Sequence, residues 1–116
     1  MNSTTKIDNI IQILDDKKAK DILSLKLEGL SIITDYFVIC TGGSTTHIKA
    51  LADELMEKMK ENSYEVYHVE GYDTARWILL DFGEVIVHIF HEEDRQFYNL
   101  ERLWSDSKNG HKFNRE

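Results

Sequence analysis

The stretch DFGEVIVHIFHEED, residues 81–94, sets five carboxylates and two histidines around a run of valine, isoleucine and phenylalanine. Imidazole and carboxylate are common metal ligands and common general acid–base groups, so a metal site or a hydrolytic site is the first thing to test. The spacing argues against both. Residues three apart on a strand point to opposite faces, so His88 and His91 cannot share an ion while the strand continues. His91 could still curl back toward Glu92 and Glu93. Glu92, Glu93 and Asp94, however, read more simply as acids in the first turn of a helix, where the macrodipole favours them. No serine, nor the single Cys40, has a persuasive base partner. DFG alone is no kinase signature in a chain of 116 residues. No metal or cofactor is expected.

The second candidate is TGGSTT, residues 41–46, between an apolar run and a helical pattern. Backbone amides at such a helix start can hold a phosphate. The motif lacks the lysine of a P-loop and the G-x-G-x-x-G of a dinucleotide fold. The alternative is that the glycines turn the chain and Ser44, Thr45 or Thr46 caps the helix. Gly-Gly-Ser before a helix also occurs in nucleotidyltransferases, but their two-metal chemistry needs carboxylates at alternate positions on a neighbouring strand. Here that strand reads EVIVHIF, with no Asp-x-Asp or Glu-x-Glu.

The elements that position these residues follow from periodicity. Ile7, Ile10, Ile11 and Leu14 keep the i, i+3, i+4, i+7 spacing of a helix with one buried face, and DDKKAK ends it. Ile22–Leu27 alternates as a strand, and Tyr36–Cys40 is nearly continuous in apolar residues, as suits a strand covered on both faces. Ile48, Leu51, Ala52, Leu55, Met56 and Met59 then form the cleanest helical stripe in the chain. Strands are expected at Glu65–Val69, Arg76–Asp81 and Val85–Phe90, and a last helix from about Glu92 to Trp104 with Phe97, Leu100 and Leu103 inward. Strand–helix–strand from Tyr36 to Val69 implies a right-handed parallel crossover, and the short connections imply antiparallel neighbours. The expected fold is α/β: a five-stranded mixed sheet flanked by helices. It forms one domain over residues 1–104, and residues 105–116 read as a polar, flexible tail.

Composition narrows the function. A chain of this size buries roughly two-thirds of its unfolded surface, enough for a core without staples, and one cysteine excludes an internal disulfide. This suits a reducing, cytoplasmic setting. Asp8, Asn9 and Gln12 interrupt any signal-like run at the N-terminus, and WILL and VIVHIF fall far short of the about 20 residues that cross a bilayer. The formal net charge is −7. Lys108, Lys112 and Arg115 outweigh Asp106 and Glu116 by one, which leaves −8 on residues 1–104. An acidic body without a basic cluster argues against direct RNA or DNA binding and for a basic protein partner.

The strand pattern suggests where that partner would sit. With Phe82-Gly83 as the turn, Asp81 opposes Glu84, Leu79 opposes Ile86 and Trp77 opposes His88, all on one face with Phe90. Ile78, Leu80, Val85, Val87 and Ile89 share the other face and are core. The first face is either covered by terminal helices or left open as a Trp77-centred patch rimmed by acid. Such a patch supplies an aromatic anchor for affinity and carboxylates for orientation.

Three motifs, ITDYFVICTGGS at 33–44, VEGYDTARWILLDFGEVIVHIFHEEDR at 69–95 and YNLERLW at 98–104, make the chain resemble the ribosomal silencing factors, the RsfS or Iojap family. With the Lys49–Asp53 helix between them, the match covers nearly everything but the tail. The resemblance implies a fold similar to nucleotidyltransferases without their catalytic carboxylates, and no enzymatic activity. It implies binding to the large ribosomal subunit through a basic β-barrel protein of the L-fourteen family, blocking small-subunit joining and repressing translation when nutrients are short. Organelle relatives act in ribosome biogenesis. The family's docking surface maps to Trp77, Leu79 and Asp81, with Tyr98 on the following helix and Tyr72, Arg76 and Glu84 as neighbours. Two other readings stand beside this one: a nucleotide- or phosphoryl-handling enzyme built on TGGSTT, and self-association of the free protein as a homodimer through the Trp77 face.

Overall fold

A computed structural model describes residues 3–27, 34–93 and 111–113. The chain runs α1 (Ser3–Asp16), β1 (Lys20–Lys26), β2 (Tyr36–Gly42), α2 (Thr45–Glu61), β3 (His68–Glu70), β4 (Trp77–Asp81), β5 (Val85–His91) and β6 (His111–Phe113). Both helices end where the side-chain pattern runs out. Lys18 turns left-handed at φ 67, and the Ala19 N–H returns to the Leu14 carbonyl at 3.0 Å, closing α1. At the end of α2, Ser63 takes φ 70 and the Tyr64 N–H reaches the Met59 carbonyl at 2.8 Å.

The strands form one mixed sheet in the order β3-β4-β5-β2-β1-β6. Its one parallel pair among the described residues is β2–β5, and the other neighbours are antiparallel. The five expected strands are present, although β3 is shorter than expected and begins at His68. The crossover through α2 also spans further than adjacent strands would require, because the β4–β5 hairpin lies between β3 and β2. A sixth strand, β6, pairs with β1 from within the segment read as a tail. The remainder of that segment, and most of the expected helix from Glu92 to Trp104, lie outside the described residues.

The β4–β5 register corrects the expected one. Trp77 pairs with Phe90, Leu79 with His88 and Asp81 with Ile86. The loop is Gly83-Glu84, not Phe82-Gly83, because the Phe82 N–H bonds the Val85 carbonyl at 2.9 Å. Gly83 holds φ +89, the place where a tight II′ hairpin turn wants glycine. Moving the turn by one residue shifts every pairing by two, so no side chain changes face.

That conservation shows in the packing. On one face, Ile78, Leu80, Val85, Val87 and Ile89 are sealed against Ile7, Ile10 and Leu14 of α1 and Ile48, Leu51, Leu55 and Met59 of α2. Each such side chain contributes about 1.5–3 kcal/mol by leaving water. Cys40, in the middle of β2, is fully buried in the same cluster. On the other face a smaller cluster joins Leu23, Leu25, Leu27, Ile39 and Phe90, with Phe37 and Trp77 packed against it.

Candidate docking face

The register builds the second face row by row. One row runs Glu70, Leu79, His88, Ile39, Leu23, and the next runs His68, Asp81, Ile86, Phe37, Leu25. Polar and acidic groups therefore gather at the β3–β4 side and apolar ones at the β1–β2 side. Between them Trp77, Leu79, Asp81, Ile86 and Phe37 are only half-buried.

Trp77 is tightly held for a half-buried residue. Its ring stacks on Phe90 with centroids 5.0 Å apart and planes at 27°. Its Nε1–H donates to Nδ1 of His88 at 3.0 Å. His88 is 4% exposed, and burial pushes its imidazole from the ordinary 6.5 down to about 4. Asp81 is held by its own turn, its Oδ1 accepting the Gly83 N–H at 2.8 Å.

Asp81 and Glu84 meet in an open depression of about 340 Å³ lined also by Thr34, Asp35, Tyr67 and Gly83. Tyr67 is 74% exposed and lies across Gly83, where an added Cβ would stand 2.9 Å from its ring. Glu84 is reached from α1 by Lys6, whose Nζ lies 3.4 Å from the carboxylate and donates to the Phe82 carbonyl at 2.9 Å. Lys6 is buried, so α1 anchors the hairpin turn that carries these acids. The expectation for this region named neither Tyr67 nor Asp35. The pairing of β3 with β4 and of β2 with β5 brings them beside Asp81, the Tyr67 N–H bonding the Asp81 carbonyl and the Asp35 N–H the Glu84 carbonyl, and no local pattern in the sequence signals it.

The remaining expected residues are distributed unevenly. Tyr72 does not join the Trp77 face: its hydroxyl donates to both Asp53 oxygens of α2, at 2.9 and 3.1 Å, and its ring packs with the helix-side cluster under Lys49. The hydrogen bond to Asp53, then burial and the negative charges of Asp53 and Asp73, raise its phenol above the ordinary range. Arg76 precedes Trp77 and bonds Glu93 through Nη2 at 3.2 Å. Its carbonyl accepts the His91 N–H. Tyr98 lies outside the described residues.

The residues of the other two candidate sites make local hydrogen bonds. Ser44 caps α2, its Oγ accepting the His47 N–H at 3.1 Å, while the Gly43 N–H is taken by His47 Nδ1 at 3.3 Å. His91 accepts the Glu93 N–H and shares nothing with His88. Among the described residues no three histidine, cysteine or acidic side chains are grouped to hold a metal ion, and no helix is long and apolar enough to cross a membrane.

Comparison with known proteins places this arrangement. The family model described as "Ribosomal silencing factor during starvation", RsfS, matches residues 1–116. A Bacillus subtilis protein named ribosomal silencing factor RsfS is 50% identical over 93 residues, covering 80% of this chain and 79% of its own. A mouse protein, named "Mitochondrial assembly of ribosomal large subunit protein 1", is 34% identical over 85% of this chain and 45% of its own. A crystal structure from Chromobacterium violaceum superposes with a TM-score of 0.87 at 32% identity, covering 90% of this chain and 88% of that one. The chain belongs to the ribosomal silencing factor family.

Proposed function

We propose that this protein binds the large ribosomal subunit through its L-fourteen family protein and keeps the small subunit from joining, without catalysing a reaction. The observation that carries the reading is the half-open patch of Trp77, Leu79 and Ile86 with Asp81 at its edge. An aromatic anchor with acids beside it suits a basic protein surface, and a net charge of −7 gives little hold on ribosomal RNA phosphates. A bound body then represses translation by occupying space, in the cytoplasm where subunits join. The mouse relative's name favours a second role, in large-subunit assembly.

The test is a sucrose-gradient profile of purified large and small subunits at a magnesium concentration that permits joining, with and without the protein. The expected result is a smaller joined-ribosome peak and comigration of the protein with the large subunit. An unchanged peak, with the protein left at the top of the gradient, overturns the reading.

A further inference from the structure

Trp77 stands at the opening of the patch, yet the one donor an indole has is spent inside the protein on His88 Nδ1. An N–H can only donate, so Nδ1 keeps its lone pair and the imidazole proton sits on Nε2. That atom is buried and has no hydrogen-bond partner among the described residues. The imidazole is wedged among rings, edge-on to Phe37 at 4.5 Å and 5.8 Å from the Trp77 ring. A buried donor without an acceptor costs stability, and a leucine there would fill the space without that cost. What histidine offers at this position and leucine does not is an acceptor for the indole.

We propose that His88 is the positioning residue of the docking face: it takes the indole N–H and fixes the ring plane, so that a partner meets an oriented aromatic surface with no donor left to offer. The partner group that fits the exposed part of this half-buried ring is a guanidinium, steered by Asp81 on the same face. A carbonyl or carboxylate seeking the N–H is refused. The functional half of this rests on the docking reading above; the tautomer and the held ring stand without it.

The first experiment uses the full chain with ¹⁵N-labelled histidine and long-range ¹H–¹⁵N correlation near pH 7. The expected signal is an unprotonated Nδ1 and a protonated Nε2 at His88. The opposite tautomer overturns the proposal, and this measurement needs no variant. The second compares His88→Leu with His88→Asn, whose amide oxygen can stand in for Nδ1, for binding to purified large subunits and for Trp77 fluorescence in a Trp104→Phe background. His88→Leu is expected to melt no lower than the parent, to lose about tenfold in affinity, and to shift Trp77 emission. His88→Asn is expected to recover affinity to within about twofold. If His88→Leu binds like the parent while Trp77→Ala does not, His88 positions nothing that binding uses. If Trp77→Ala also binds normally, it is the docking reading that fails, and the tautomer and the emission shift alone decide whether His88 holds the ring.

Discussion

On the helix side of β4 and β5, Ile78, Leu80, Val85, Val87 and Ile89 are sealed against α1 and α2. One residue further along the same strands, Trp77, Leu79, Asp81 and Ile86 point the other way and stay half-open. The first set is interchangeable aliphatic volume. The second mixes ring, carboxylate and a buried imidazole in fixed hydrogen bonds. Alternation of period two lets one hairpin hold the fold together with one side and present a surface with the other.

The contrast can be broken from either side. Leu55→Ala, in the middle of the α2 stripe, is expected to cost about 3–4 kcal/mol in urea unfolding while leaving the affinity of the folded molecule for large subunits unchanged. Acid probes the other face through His88. Its folded value near 4 lies below the ordinary 6.5, so the unfolded chain binds the proton first as pH falls. The contribution is absent above about 6.5, grows as pH drops toward 4, and levels off below, destabilising by up to about 3 kcal/mol. His88→Leu should remove that part of the acid sensitivity, as denaturant melts at pH 7 and pH 4.5 would show. Trp77→Ala, and separately Asp81→Lys, should weaken large-subunit binding by about 2 kcal/mol with far less effect on unfolding than Leu55→Ala. Full binding by both folded variants would remove the patch from the mechanism. The smallest effect belongs to neither face: Ser44→Ala should cost about 1 kcal/mol of stability through the lost cap and leave subunit binding alone.

How legible this was in the sequence depended on the kind of contact. The face assignment of Ile78, Leu80, Val85, Val87 and Ile89 came from alternation, and it survives any even slip of register. The pairings themselves were off by two, because Phe82-Gly83 and Gly83-Glu84 are both acceptable turns by composition and only the backbone hydrogen bond decides between them. The α2 stripe was clear because helical periodicity repeats over 17 residues. Tyr72 went with α2 because Asp53, nineteen positions away, captures its hydroxyl, and no local rule anticipates that. The same limit hid Tyr67 and Asp35, which become neighbours of Asp81 only once β2, β3 and the hairpin are assembled.

Cys40 gives the core an internal clock. The only thiol in the chain lies fully buried in β2, the strand flanked by β1 and β5. Its side chain lies in the cluster between the sheet and α1 and α2, so a thiol-reactive dye can modify it only when those helices lift from the sheet. The labelling rate in native buffer therefore counts openings of the helix–sheet core, on the side of the sheet away from the proposed docking face. A partner that grips the closed molecule slows that clock in proportion to its occupancy, so one cysteine converts binding at one face into a rate read from the core.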